Sequence, residues 1–222
     1  MRAFVSLWSA DLLDVGRAID MLEEHVDGFH IDVMDGHYAP NLLFGPDFVR
    51  AVCRRTARPV EVHLMVSDAD QWIDPFADAG CAWIAIHPDT ANQFSETLRT
   101  IENCGSKSCM ALTVDQPPEG FGAYLEVVDR VLMMGTVIGK KSLEMDPRTY
   151  ERVTQAVSLR DRSRRRPDVV VDGGIRRQST PHLAEAGADG VIPGSLVLGD
   201  PDPVSVLDWI KSLRPAVHVR PQ

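Results

Sequence analysis

Short runs rich in β-branched and aromatic residues alternate with helical periodicity along the whole chain, and this alternation constrains the fold more than any other feature. Strands are predicted at 3–8, 29–34, 60–66, 83–87, 108–113, 130–134, 169–172 and 190–193. Helical periodicity fills the gaps at 12–24, 47–55, 69–79, 93–103, 120–127, 147–160, 180–186 and 203–213. Gly80, Gly105 and Gly187 stand where helices should stop. Strands joined through helices pair in parallel, because a crossover returns the chain to the edge it left. Eight strand–helix units in 222 residues allot about 28 residues to each, close to the size of a βαβ module. The expected fold class is α/β, a single closed (β/α)8 TIM barrel spanning 1–222, with a short C-terminal tail at 215–222. An open doubly wound sheet would usually carry fewer strands. No linker or composition break divides the chain.

The second strand is the most informative. Its sequence, Phe-His-Ile-Asp-Val-Met over 29–34, sets Phe29, Ile31 and Val33 on one face and His30, Asp32 and Met34 on the other. A methionine beside an imidazole and a carboxylate is out of place on a solvated surface and natural inside a barrel. Polar groups buried there need a partner or a task, since leaving them unpaired costs several kcal/mol. In such barrels the site lies at the C-terminal ends of the strands. There the sequence places Ser9, His30, Asp32, His63, His87, Asp172 and Ser195. His30, Asp32, His63 and Asp172 form a set suited to one divalent metal ion, Zn, Fe, Mn or Co, which spacing does not separate. His87 reads as a packing or hydrogen-bonding group at a strand end, and His37 as a non-ligand.

Glycines supply a second half to the site. Gly173 and Gly174 follow the seventh predicted strand, and Gly194 and Ser195 follow the eighth, where barrels commonly bind phosphate. Glycine lets backbone N–H groups come close to an anion.

Composition narrows the partners. A formal charge of −9 argues against nucleic acid or an anionic membrane. No apolar run approaches the roughly 18 residues of a membrane helix. The chain enters a strand almost at once with no signal-peptide pattern, and Cys53, Cys81, Cys104 and Cys109 lack CxxC spacing. Reduced thiols in apolar surroundings and a cytoplasmic location are expected. The basic run 160–166 reads as a solvated helix end and loop.

His-Ile-Asp-Val-Met-Asp-Gly-His-Tyr-Ala-Pro-Asn (30–41), Val-His-Leu-Met (62–65) and Val-Asp-Gly-Gly-Ile (171–175) together resemble the signatures of the ribulose-phosphate 3-epimerase family. Ser-Leu-Trp-Ser-Ala-Asp (6–11) and Pro-Gly-Ser (193–195) fit the same pattern in the same order. The resemblance covers essentially the whole chain. It implies that His30, Asp32, His63 and Asp172 hold the metal, that Asp32 and Asp172 double as the acid/base pair, and that Ser9 touches substrate. Met34, Met65 and Met134 match methionines lying beside the reacting carbons. It also implies a homo-oligomer, dimer or hexamer. The roles are physically coherent. Inverting a carbon next to a ketone needs one proton group on each face and stabilisation of the ene-diolate between them. Thioethers pack against that intermediate without offering it an acidic proton.

After the sixth predicted strand the family has a glycine-rich loop that closes over phosphate. This chain instead reads Met-Gly-Thr-Val-Ile-Gly-Lys-Lys-Ser over 134–142. Gly139 aligns with a family glycine, and Lys140 or Lys141 is expected to supply a point charge for the phosphate in place of backbone amides. The expected substrate is a ketose phosphate. D-ribulose 5-phosphate/D-xylulose 5-phosphate is the first choice, and a pair such as D-allulose 6-phosphate/D-fructose 6-phosphate the alternative. An aldose–ketose isomerase acting through the same ene-diolate is a third option; a non-catalytic sugar-phosphate sensor, which would be expected to lose one of the two aspartates present here, is the alternative of another class.

Overall fold

The computed structural model describes residues 1–216, so the predicted tail at 215–222 lies almost entirely outside the described residues. Among the described residues nine strands form: β1 (Arg2–Ser6), β2 (Gly28–Asp35), β3 (Leu42–Leu43), β4 (Val60–Met65) and β5 (Trp83–Ile86) come first. β6 (Lys107–Leu112), β7 (Arg130–Met134), β8 (Asp168–Asp172) and β9 (Gly190–Ile192) complete the set. The helices are α1 (Val15–Leu22), α2 (Pro46–Arg55), α3 (Ile73–Ala79), α4 (Phe94–Asn103), α5 (Thr149–Arg162), α6 (Ser179–Glu185), α7 (Ser195–Leu198) and α8 (Pro203–Ser212). Setting β3 aside, neighbouring strands pair in parallel, and β1 pairs with both β9 and β2. The sheet therefore closes on itself as an eight-stranded barrel with helices between the strands, as the alternation predicts.

Inward and outward faces divide as period two requires. Along β4, Val60, Val62 and Leu64 join the large core between barrel and helices, with Phe29, Ile31 and Val33 of β2. Phe4, Ala85, Ala111, Leu132, Val170 and Ile192 fill part of the barrel interior. Both faces of β4 are buried, as parallel strands covered by helices must be.

Three departures from the sequence reading have local causes. The segment expected to be helical over 120–127 is a 3₁₀ helix, Pro118–Glu126. Two prolines at its start and glycines at 120 and 122 disfavour a regular α-helix. The hairpin strand β3, antiparallel to the end of β2, was not predicted and is only two residues long. The basic run is not simply solvated: Arg160 is buried and paired with Asp189 at 2.5 Å, and Arg165 reaches Glu102 and Asp129. These carboxylates come from neighbouring segments that sequence distance hides. The cysteines are all free, yet Cys104 is exposed beside Asp74 rather than apolar in its setting.

Helix α8 closes the chain against β1 and buries Val206, Leu207 and Ile210. It starts with Pro203 at its first turn and Asp202 as N-cap, whose Oδ1 accepts from the Ser205 backbone N–H at 3.1 Å. Asp202→Ala should destabilise the protein by removing this cap. Urea unfolding should show a lower midpoint with an unchanged slope.

Candidate active site

The register of β2 against β4 builds the centre. His30 sits opposite Glu61, and Asp32 opposite His63. Because residues two apart share a face, all four point into the barrel, with Asp172 arriving from the end of β8. Ligand atoms of His30, Asp32, His63 and Asp172 all lie within 4.8 Å of one another. His30 Nε2 is 3.4 Å from Asp32 Oδ1 and 3.8 Å from Asp172 Oδ2. His63 Nδ1 is 3.7 Å and 3.9 Å from the same two oxygens. The four residues predicted as ligands are thus brought together.

Two atoms test whether a metal ion fits. His30 Nε2 and His63 Nδ1 are buried and have no hydrogen-bond partner among the described residues. Buried imidazole nitrogens are ordinarily satisfied. Two of them turned toward a pair of carboxylates, in a cluster with the donor types of a divalent-ion site, fit such an ion.

Three of the four side chains have a partner behind them. Glu61 Oε1 lies 2.9 Å from His30 Nδ1, and the Ser6 hydroxyl donates to Asp32 Oδ2 at 2.9 Å. His87 Nε2 lies 2.9 Å from His63 Nε2, which is the strand-end hydrogen-bonding role expected of it. His37 is exposed on the loop after β2. Glu61, Arg130 and Ser6 were not singled out from sequence, although the alternation that marks His63 as inward marks Glu61 as inward too.

The two carboxylates are not equivalent. Burial and the negative charge of Asp32 push Asp172 up to about 7. Asp32 is equally buried, but His30 and His63 outweigh that effect and hold it well below the usual carboxylate range. In the cluster of side chains by itself, Asp32 gives up its proton more readily than Asp172.

A cavity of about 200 Å³ opens above this centre. Asp32, Asp172, Ser9, Met65 and Met134 border it, as do Gly139, Lys140, Gly173, Gly174, Gly194 and Ser195. Met34 stands one layer back, packed with Met65 and Ala39 and not on the cavity wall. Trp8, Thr136, Ser142 and Arg176 border the cavity without having been predicted.

The loop after β7 lies across the mouth. A Cβ on Gly139 would stand 2.6 Å from Pro40 Cδ, so this loop rests directly on the loop after β2. Lys141, rather than Lys140, makes the long reach: its ammonium donates to the Trp8 carbonyl and lies 5.0 Å over the Trp8 ring. Trp8 follows β1 and Lys141 follows β7. Between those strands stand β8 and β9, whose turns carry Gly173, Gly174, Gly194 and Ser195. Gly174 has φ +70, and a Cβ there would meet the Met145 backbone at 2.7 Å. Only glycine fits that turn.

Fold and cluster together define a (β/α)8-barrel protein with a histidine–carboxylate centre at the C-terminal mouth, the position at which such barrels carry out chemistry. The sequence profile of the ribulose-phosphate 3 epimerase family matches residues 3–198. A ribulose-phosphate 3-epimerase of Rhodobacter capsulatus is 36% identical over 196 residues, covering 86% of this chain and 82% of that protein. The ribulose-phosphate 3-epimerase of Bacillus subtilis (strain 168) is 30% identical over 208 residues, 93% of this chain and 96% of that one. Among solved structures, 3-hexulose-6-phosphate synthase from Salmonella typhimurium superposes with a TM-score of 0.66 at 17% identity, over 96% of this chain and 98% of that one. The chain belongs to the ribulose-phosphate 3 epimerase family.

If the four side chains form a metal centre, the purified protein should carry about one divalent ion per chain. His30→Ala and His63→Ala should each lose it, as read by elemental analysis, while circular dichroism stays native. Retention of a full equivalent by both variants would remove the histidines from the ligand set.

Proposed function

We propose that this protein is an isomerase, a metal-dependent ketose-phosphate 3-epimerase that interconverts D-ribulose 5-phosphate and D-xylulose 5-phosphate. The observation that carries the reading is the pair of unlike carboxylates, Asp32 and Asp172, brought within 4.8 Å of each other and of two partnerless imidazole nitrogens. Family membership supplies the reaction class. His30, Asp32, His63 and Asp172 would hold the ion, which acts as a Lewis acid where negative charge develops on the two substrate oxygens.

The chain's own residues divide the remaining work. Asp32 removes the proton from C3 on one face. The resulting ene-diolate lies between Asp32 on β2 and Asp172 on β8, two walls of the barrel with β9 and β1 between them. Asp172 delivers a proton to the other face, which inverts the carbon. The reverse reaction exchanges the two roles. Met65 and Met134 wall the cavity with polarizable, non-acidic surface. Ser9 borders it beside Gly194, near enough that a Cβ on that glycine would meet the Ser9 Oγ at 2.3 Å. Gly173, Gly174, Gly194 and Ser195 form the phosphate end, with Lys141 reaching over from the loop after β7.

A small-molecule sugar phosphate is therefore the partner. Among the described residues no helix is long and apolar enough to cross a membrane. A cytoplasmic location, supported by four free cysteines, assembly as a dimer or hexamer, and a single domain over 1–222 belong to the same proposal.

Solvent deuterium should enter C3 of the ketose phosphate during turnover. Asp32→Asn and Asp172→Asn should each lower epimerisation at least 10²–10⁴-fold, the span usual for general acid/base groups. Asp172→Asn should still exchange one substrate proton without inverting the carbon. Near-normal epimerisation by either variant would overturn the two-carboxylate scheme.

Lys141→Ala should raise KM for the phosphorylated sugar roughly tenfold, about 1.4 kcal/mol, with a smaller effect on kcat. Lys140→Ala should do less. Steady-state kinetics over a panel of five- and six-carbon ketose phosphates measures both effects and fixes the preferred substrate.

A further inference from the structure

Beneath the metal-ligand cluster lies an ion pair that the reaction does not use. Glu61 and Arg130 are both fully buried, and Arg130 Nη1 donates to Glu61 Oε2. The guanidinium carbon stands 4.3 Å from the ring centres of both Phe4 and Trp83. Its Nε and Nη2 have no hydrogen-bond partner among the described residues. Such a pair is a poor stabiliser, because desolvating two charges costs as much as their attraction returns, and an apolar replacement often folds at least as well. Its presence calls for a purpose other than stability.

The other carboxylate oxygen shows that purpose. Glu61 Oε1 meets His30 Nδ1 at 2.9 Å. A carboxylate only accepts, so the proton of that bond sits on Nδ1. The lone pair of a neutral imidazole is then at Nε2, the atom directed at Asp32 and Asp172. Arg130 Nη1 fixes the Glu61 carboxylate in orientation. His63 is supported differently, since its Nε2 meets the uncharged His87.

We propose that Glu61, anchored by Arg130, is the positioning residue that holds His30 with Nδ1 protonated and Nε2 presented to the divalent ion. This rests on the reading of His30 as a ligand. Groups that orient a ligating imidazole typically alter metal affinity by 10–100-fold when removed. A pair with only a packing role would leave affinity untouched in every folded variant.

The test uses zinc alone, without substrate. In the zinc-loaded wild type, imidazole ¹⁵N shifts should show His30 protonated at Nδ1 and metal-bound at Nε2; metal at Nδ1 overturns the proposal. Chelator competition should then show zinc affinity reduced 10–100-fold in Glu61→Gln. Because that variant strands the Arg130 charge, the double variant Glu61→Leu/Arg130→Met provides a folded comparison. It should keep or raise Tm while showing the same loss of affinity. Native zinc affinity in the folded double variant overturns the positioning role. A wild-type chain that binds no divalent ion overturns the metal reading itself, and this proposal with it.

Discussion

The structure depends on one pairing, the register that sets His30 against Glu61 and Asp32 against His63 across β2 and β4. A slip of one residue would turn His30 and Asp32 out among the helices and bring Phe29 and Ile31 into the site. The apolar residues between barrel and helices prevent it. Phe29, Ile31 and Val33 pack there with Val60, Val62 and Leu64. Ordinary hydrophobic burial on the outer face thereby fixes the chemistry on the inner one.

Once those polar groups are inside, the interior has to satisfy them. It does so in a chain that descends from the mouth: His30 to Glu61, Glu61 to Arg130, and Arg130 toward Asp168 at 3.9 Å and Arg2 beyond. What it leaves unsatisfied is equally informative. His30 Nε2 and His63 Nδ1 point into one small space with Asp32 and Asp172. The same burial separates the two aspartates. Asp32 lies against both histidines and the Ser6 hydroxyl, while Asp172 bears the repulsion of Asp32. One fold thus shifts two residues of the same type in opposite directions.

The mouth shows how a changed loop can occupy a familiar place. In the loop after β7, Gly139 seats the chain on Ala39 and Pro40, and Lys141 ties it to Trp8 in the loop after β1. Close backbone approach at Gly174 and Gly194 keeps the turns after β8 and β9 beneath it. A lysine supplies charge with less directional constraint than backbone amides.

Much of this was legible in the chain by itself. The eightfold alternation specified the barrel, period two along β2 specified which side chains face inward, and the motifs around His30, His63 and Asp172 specified the family. These are local properties, set by side-chain periodicity over a few residues, so sequence carries them directly. The tertiary structure decided the rest. Glu61 and Arg130 stand 69 residues apart and meet only because the barrel closes. Met34 shares its face with Asp32 but is screened from the cavity by its neighbours, and Lys141 rather than Lys140 spans the mouth. Arg160 and Arg165 of the run 160–166 meet carboxylates from distant segments for the same reason. Contacts between distant segments are set by closure of the sheet and the packing of loops over it, and no spacing within the sequence encodes them.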